Sequence, residues 1–443
     1  MRYILLIFSL AVWLATGRYF VGLDSIIDLV HFAAIPFFIS YLLIFQPKAI
    51  KKNFKPYFIL FVITTLLVAG YLLALSKTIS YVRVNWIELP IAVYFLLSVY
   101  TILWLLDKFV NLILSAVLRT NQKTGITKGT IKSAIRFALL IFVVTPYLVT
   151  IFTTRWVKFT DAAGPKKMMD LEYQQVYFNA KDGAKLDGWF IPSTNRMSDS
   201  TVIIVPGRSL TKTLFLSYAR ILGDNGYNVF LFDLRGNGSS SGHKYSFGID
   251  EANDVIGAVD YLKNNHPELS KYIFGFGISE GASALIAAAA TDERFTGVAI
   301  DSASGYEISL PADISNYLPG WMEKVLTKTM RSVVLMDIGR PVWGLEGLYE
   351  KISQISPCPV LVTNGLRSSK SDRQQTIELY AKAKDPKMLW LTPPQIKETL
   401  NIGAQKEYFQ NILDLFNFGR AKQQSGNWRI SHIDPHGTGY PKG

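Results

Sequence analysis

One serine in this chain is flanked by glycines at the spacing that suits an exposed nucleophile. Residues 277–281 read Gly-Ile-Ser-Glu-Gly, between an apolar run and an alanine-rich stretch. A tight turn from a buried strand into a helix leaves no room for neighbouring side chains, so it needs glycine on both sides. The pattern predicts that Ser279 is held in a strained conformation at a helix N-terminus, where its hydroxyl could attack an acyl carbon.

Acyl transfer also requires donors for the oxygen that becomes negatively charged. The backbone N–H of Glu280 follows the serine directly, and the N–H of Arg208 follows the turn Pro206-Gly207 at the end of another apolar run. Backbone donors at such turns stabilise a developing oxyanion. Glu280 and Arg208 are therefore the predicted oxyanion donors.

A serine hydroxyl is a poor nucleophile until a base takes its proton, and in most such sites the base is a histidine oriented by a carboxylate. The chain has five histidines, of which His31 lies in an apolar stretch, His243 in a Gly/Ser loop and His266 before a proline. His432 and His436 remain, in a Gly/Pro-rich C-terminal segment. Such segments are often mobile, but this one could fold back to supply an imidazole.

The elements that would position these groups alternate between strands and helices. A hairpin is predicted from Val176 around the turn Asp182-Gly183, because alternating apolar residues flank it. Fully apolar strands follow, ending near Gly207, Asp233 and Ile278. The sequence also predicts helices at 212–224, 250–264 and 405–418, and further strands at 297–301, 358–363 and 387–392. This alternation predicts a mostly parallel sheet covered on both faces.

The stretch from Val176 to Ser302 resembles the α/β-hydrolase superfamily, and within it the serine hydrolases of the prolyl-oligopeptidase and bacterial esterase lines. The resemblance is carried by DGAKLDGWFIP, VIIVPG, GYNVFLFDLRGNGSSSG, FGIDEANDVIGAVDYL and GISEG. It continues more weakly through CPVLVTNG, DPKMLWLTP and EYFQNILDLF. The predicted fold is thus α/β, an α/β-hydrolase fold preceded by a transmembrane α-helical bundle.

The resemblance implies positions for the remaining catalytic groups that this sequence does not fill. The acid would fall at Ser368, and the histidine in residues 393–404, which contain none. Asp372 is the nearest later carboxylate and is also well placed to cap the following helix. Asp301 is an alternative acid used by some hydrolases, and the resemblance equally suggests a structural role for it.

No metal or cofactor site is predicted. His432 and His436 have ligand spacing only on a helix, and Pro435 and Gly437 disfavour a helix there. The single cysteine, Cys358, excludes an internal disulfide and a cysteine cluster. The predicted ligand of the site is a small-molecule ester, a peptide or a lipid-like molecule.

The net charge of +12 does not indicate nucleic-acid binding, because it is concentrated at one end of the chain. Residues 1–152 hold fourteen Lys or Arg against four Asp or Glu, which leaves +2 for the remainder. The same region is strongly apolar. Five membrane spans are predicted, at 3–16, 26–45, 57–75, 86–106 and 137–152. The first also fits a cleavable signal peptide ending near residue 17.

The loops between the spans predict an orientation. Residues 46–56 and 107–136 carry ten cations against three in 17–25 and 76–85. Because Lys and Arg accumulate on the cytoplasmic side, we expect the C-terminal domain to face away from the cytoplasm. Arg155, Lys158, Lys166 and Lys167 argue the other way.

The predicted organisation is a membrane domain at 1–156, a linker at 157–175, a hydrolase domain at 176–424 and a flexible tail at 425–443. An insertion at 302–357 is expected to form a mostly helical cap. Three functions stay open. The chain is a membrane-anchored serine hydrolase, a catalytically degenerate domain that binds a ligand or partner, or a functional membrane block that carries a hydrolase fold as a scaffold.

Overall fold

The computed structural model divides into two compact units. The first comprises Met1–Ile79, Val84–Val157 and Ile308–Leu345, and the second Ser80–Arg83, Lys158–Glu307 and Glu346–Gly443. The structure describes scattered helical positions between 30 and 70, and residues 82–84, 88–117, 128–154, 158–194, 198–208, 210–303, 317–340, 347–364, 370–391 and 402–425.

Ten strands are described. They are β1 Val82–Val84, β2 Phe159–Asp161, β3 Gln174–Asn179, β4 Lys185–Ile191, β5 Ser200–Val205, β6 Asn228–Phe232, β7 Tyr272–Ile278, β8 Phe295–Asp301, β9 Val360–Asn364 and β10 Lys387–Leu391. The described α-helices are α1 Glu88–Val117, α2 Lys128–Leu139, α3 Thr145–Thr154, α4 Pro165–Met169, α5 Leu216–Asp224, α6 Glu251–Asn265, α7 Glu280–Ala289, α8 Gly320–Asp337, α9 Leu348–Ile352, α10 Lys370–Lys382 and α11 Ile402–Ser425. A π-helical turn at Leu140–Val144 joins α2 to α3, and a 3₁₀ turn at Lys212–Phe215 precedes α5.

An eight-stranded sheet organises the second unit. Its strand order is β10-β9-β8-β7-β5-β6-β4-β3. The strands from β10 to β6 run parallel, whereas β4 is antiparallel to both β6 and β3. The predicted mostly parallel sheet and the predicted hairpin are confirmed. Since the carboxyl ends of parallel strands meet at one edge, the residues that directly follow β5, β7 and β8 lie together there.

Helices cover both faces of this sheet. All six residues of β5 are buried, as expected for a strand with apolar layers on both sides. One core layer packs α6, α7, α9 and α10 against the sheet, and the other packs α5 and α11. Helix α11 is longer than the predicted 405–418 at both ends. Its Gly419 lies against the Thr296 carbonyl, where a Cβ would come within 2.3 Å.

The first unit holds the described part of the N-terminal helices. Within the described residues, two helices are long and apolar enough to cross a membrane, over Leu96–Ile113 and Ser133–Thr150. They correspond to the predicted spans at 86–106 and 137–152. The stretch 3–16 lies outside the described residues, and only parts of 26–45 and 57–75 are described, as helix. The five-span bundle therefore stays a prediction.

Polar side chains connect the helices of the first unit. Asp107 lies within α1 and forms an ion pair of 3.1 Å with Arg136 of α2. The buried imidazole of His31 stacks on Tyr147, contacts its hydroxyl, and lies 2.5 Å from the Ser98 hydroxyl. Polar side chains of this kind hydrogen-bond across packed helices in membrane proteins.

The insertion at 302–357 is divided between the units. Helix α8 packs on α3, with the Thr154 hydroxyl donating a hydrogen bond of 2.6 Å to the buried Asp337 carboxylate. The Trp321 ring lies 6.1 Å from that of Phe142. Residues 308–345 thus belong to the same compact unit as the N-terminal helices. The cap and the other predicted domain boundaries remain predictions.

Candidate active site

Ser279 occupies a strained turn between β7 and α7. Its backbone has φ 55° and ψ −122°, a conformation that L-residues rarely adopt. A Cβ on Gly277 would come within 2.6 Å of the Ala282 Cα, and one on Gly281 within 2.2 Å of the Val205 carbonyl oxygen. The Ser279 N–H donates to the Asp301 carbonyl at 2.8 Å. The packing around the turn explains why both glycines are needed.

The side chain of Glu280 folds back over Ser279. The Ser279 hydroxyl donates a hydrogen bond of 2.7 Å to Glu280 Oε2, and the Arg208 N–H donates to the same oxygen at 3.4 Å. Arg208 Nε lies 3.8 Å from Glu280 Oε1. The Arg208 guanidinium also stands 5.4 Å from the centre of the Tyr245 ring. The turn thus brings together Ser279, Glu280 and Arg208.

Gly207 lies beside the Glu280 carboxylate. A Cβ there would lie 3.3 Å from Glu280 Oε2 and 3.2 Å from the Ser279 Cβ. The turn after β5 therefore passes directly beside the serine. The Arg208 N–H therefore reaches the same Glu280 oxygen as the Ser279 hydroxyl, and its role as an oxyanion donor stays a prediction.

Asp301 ends β8 beside the turn but directs its carboxylate into the core. Its two oxygens accept hydrogen bonds from the Ser302 hydroxyl at 2.8 Å and from the buried Tyr408 hydroxyl at 2.5 Å. Burial, and then the Asp301 charge, raise the pKa of Tyr408 well above its ordinary value. These contacts favour the structural role of Asp301 over that of a triad acid.

The other predicted catalytic residues are described incompletely or not at all. Asp372 is the third residue of α10, so it lies inside the first turn of that helix and not before its first residue. Ser368, His432 and His436 lie outside the described residues, as do 392–401, where the resemblance places the histidine. These assignments stay predictions.

A buried lysine surrounded by three carboxylates follows the Pro206-Gly207 turn in the chain. Lys212 Nζ donates to Asp161 and Asp233 at 2.6 Å each and to Asp187 at 2.8 Å. Burial lowers the pKa of Lys212, but the three carboxylates outweigh burial and raise it. Oxygens of the three aspartates lie within 4.8 Å of one another, a spacing that could suit a cation, and the ammonium group already contacts all three.

Arg235 braces the loop after β6. Its guanidinium donates to both oxygens of Asp182 at 2.8 Å and, from Nε and Nη2, to Asp254 at 2.9 and 2.7 Å. Burial raises the pKa of Asp254 to about 7, although Arg235 opposes the shift. Burial acts to raise the pKa of Asp182, but the hydrogen bonds and charge of Arg235 outweigh burial and lower it.

Sequence reasoning missed three features of this region: the Glu280 side chain, the Lys212 cluster and the Tyr408 contact. Glu280 was considered only for its backbone N–H. A charged residue directly after the serine of such a turn could have signalled a contact with the hydroxyl. Lys212 and Tyr408 meet partners more than twenty residues away, and no local pattern indicates such pairs.

Three comparisons show which known proteins this chain is similar to. A family model described as serine aminopeptidase, S33, matches residues 197–401. An uncharacterized Escherichia coli O157:H7 protein, YfhR, is 30% identical over 227 residues, 50% of this chain and 72% of that protein. The Pyrococcus furiosus esterase Pf2001 structure aligns with 60% of this chain and 97% of its own, at 25% identity and a TM-score of 0.46. The family match and the identity to YfhR show that this chain belongs to the α/β-hydrolase superfamily.

Proposed function

We propose that this chain is a membrane-anchored serine hydrolase, which transfers the acyl group of an ester or peptide to Ser279 and then to water. The observation that carries the proposal is the strained, positive-φ conformation of Ser279 between two glycines that tolerate no side chain. Strain of this kind persists where the surrounding structure enforces it, and it presents the hydroxyl outward from the sheet edge.

The proposed reaction begins with attack of Ser279 Oγ on the acyl carbon. The hydroxyl proton passes to a base, and the electrons of the carbonyl bond move to its oxygen, which the N–H groups of Glu280 and Arg208 stabilise. Collapse of this intermediate breaks the bond to the leaving alkoxide or amine, which takes up the proton. Water then attacks the acyl-enzyme in the same way and releases the acid.

The base in this proposal is a tail histidine, His432 or His436. Of the other three histidines, His31 belongs to the first unit and contacts Ser98 and Tyr147. The ring of His266 stacks on Phe190 at 4.1 Å. His243 was placed by the sequence in a Gly/Ser loop. The two tail residues therefore remain the candidates that the sequence predicted.

The membrane part of the proposal rests on the apolar helices of the first unit. Two stretches of 18 residues are long and apolar enough to cross a bilayer. One lies in helix α1, and the other runs continuously from α2 into α3. Membrane lipids are the proposed surroundings of the N-terminal spans, and the hydrolase unit is proposed to face away from the cytoplasm.

A catalytically degenerate, ligand-binding domain is the second candidate. It is favoured by the partners of the predicted catalytic groups: the Ser279 hydroxyl donates to the Glu280 carboxylate, and Asp301 is engaged by Tyr408 and Ser302. In this case the site at Ser279 would bind a ligand without cleaving it.

Hydrolysis of p-nitrophenyl acyl esters by the full chain in detergent separates the two candidates. The wild type is expected to release p-nitrophenol, and Ser279→Ala to lose activity by about 10³-fold or more. Loss in His432→Ala or in His436→Ala would identify the base. Ser217→Ala, an exposed serine of α5, is the matched control and should retain activity. Equal background rates in wild type and Ser279→Ala would favour the degenerate domain.

A further inference from the structure

The Glu280 carboxylate lies where the oxyanion of an acyl intermediate would be bound. Its Oε2 accepts hydrogen bonds from both the Ser279 hydroxyl, at 2.7 Å, and the Arg208 N–H, at 3.4 Å. A Cβ built on Gly207 would lie 3.3 Å from this oxygen and 3.2 Å from the Ser279 Cβ, so all three groups border the same space. A carbonyl oxygen of a substrate attacked by Ser279 needs this space and this donor.

The position is unsuitable for a general base. A base that activates the serine must afterwards deliver the proton to the leaving group, which departs on the side away from the oxyanion donors. An oxygen held by the Arg208 N–H lies on the oxyanion side. Two negative charges at the same donors would also repel each other, so the carboxylate opposes the transition state while it stays there.

Arg208 offers the carboxylate a second partner nearby. Its Nε stands 3.8 Å from Glu280 Oε1, and its guanidinium lies over the Tyr245 ring. The side chains of Glu280 and Arg208 are 19% and 26% exposed, so both border the site without being locked in the core. A modest rotation would move the carboxylate from the backbone donor towards the guanidinium.

We propose that the Glu280 side chain is an internal occupant of the oxyanion site, which an acyl substrate must displace before Ser279 reacts. This inference rests on the proposed function, since the oxyanion site is defined by acyl transfer. It follows that the site has a built-in affinity for carboxylates. Removing the Glu280 side chain should open the donors to an external carboxylate, such as the acid that hydrolysis would release.

The first test is the rate of labelling by a fluorophosphonate probe. Glu280→Ala is expected to label about tenfold faster or more. In the wild type only those molecules whose Glu280 carboxylate has left the oxyanion site can react, whereas in the variant every molecule can. Glu280→Gln keeps the volume and loses the charge, and it should fall between the two. Glu378→Ala, which removes an exposed carboxylate of α10, should match the wild type. Loss of labelling in Glu280→Ala and Glu280→Gln would overturn the inference and indicate a catalytic carboxylate instead.

The second test is independent of Ser279 reactivity. In calorimetric titration with 4-phenylbutyrate, Glu280→Ala should bind at least about tenfold more tightly than the wild type and than Glu378→Ala. Equal affinities would overturn the inference even where labelling is observed. If neither wild type nor Glu280→Ala forms a Ser279-dependent adduct, the proposed function fails, and the titration alone decides whether Glu280 occupies the site.

Discussion

At the residue scale, Asp254 and Asp182 both contact Arg235, but their pKa values are shifted in opposite directions. Asp254 is fully buried, and burial raises its pKa to about 7. Asp182 is 38% exposed, and its pKa is lowered. Because a shift in pKa between the folded and unfolded chain makes stability depend on pH, the two aspartates should have different pH signatures.

The Asp254 signature can be measured between pH 5 and pH 8. A carboxyl whose pKa is raised on folding contributes stability that is complete below its unfolded pKa of about 3.9 and is lost as the pH rises through about 7. Over that interval, wild-type stability should fall relative to Asp254→Asn, by at most about 1.4 kcal/mol per pH unit. Chemical unfolding of the full chain in detergent at each pH measures this difference.

The Asp182→Asn variant is the control for the Asp254 experiment. A lowered pKa gives stability that is lost only as the pH falls through the folded pKa, below the interval tested. Its curve should therefore run parallel to that of the wild type from pH 5 to pH 8. A parallel curve for Asp254→Asn as well would contradict the raised pKa of Asp254.

Lys212 should be among the most sensitive single residues for stability. Lys212→Met leaves Asp161, Asp187 and Asp233 without the ammonium that all three contact. Removing one partner of a buried ionic cluster costs about 3–5 kcal/mol. Urea unfolding should show this loss, whereas Lys185→Met, at an exposed position of β4, should change stability by no more than about 0.5 kcal/mol. Similar small effects in both variants would refute the cluster's role.

At the element scale, the strand-to-helix turn depends on the close contact between α7 and β5. Gly281→Ala would place a Cβ 2.2 Å from the Val205 carbonyl oxygen and 2.4 Å from that of Pro206. Both obstacles are backbone, so the elements must separate, and a stability loss of at least about 2 kcal/mol is expected.

Gly223→Ala in α5 is the matched substitution for the Gly281 experiment. A Cβ there meets nothing within 4 Å, and alanine favours helix by up to about 1 kcal/mol over glycine. Thermal unfolding of both variants should give opposite changes in the midpoint. If Gly281→Ala were as stable as Gly223→Ala, the described packing of α7 against β5 would be wrong.

The elements of the hydrolase unit were largely predictable because their signals are local. Strands such as β5 are continuous apolar runs bounded by turn residues, and the β3–β4 hairpin carries its own Asp-Gly turn. The length of α11 was underestimated, since its final turns are polar and their contacts with β8 come from distant parts of the chain. Ser279 was identified for the same local reason, whereas the position of the Glu280 carboxylate depends on Arg208, seventy-two residues earlier.

At the scale of the whole molecule, the chain combines a hydrolase unit with a set of apolar helices. The sequence predicts the two parts from composition alone and predicts 302–357 as a cap insertion of the hydrolase domain, and these boundaries stay predictions. In the structure α8 packs on α3. Such an association is not visible in the sequence because α8 is about 170 residues from its partner helix.

The membrane assignment predicts how the full chain behaves in cells. It should remain in the membrane fraction after an alkaline carbonate wash, because spans that satisfy their own backbone hydrogen bonds are not released by loss of charge contacts. A C-terminal reporter that is active only outside the cytoplasm should give signal, and a cytoplasmic reporter should not. Release by carbonate would contradict the spans, and a signal from the cytoplasmic reporter alone would reverse the orientation.

The central claim is that Ser279 is a nucleophile, and mapping the site of fluorophosphonate attachment tests it most directly. After labelling of the full chain in detergent, mass spectrometry of the digested protein should locate the phosphonyl group on the peptide that contains Ser279. The adduct should be absent from Ser279→Ala and present in Ser217→Ala. Folded wild-type protein without an adduct at Ser279, or with the same labelling in Ser279→Ala, would contradict the account.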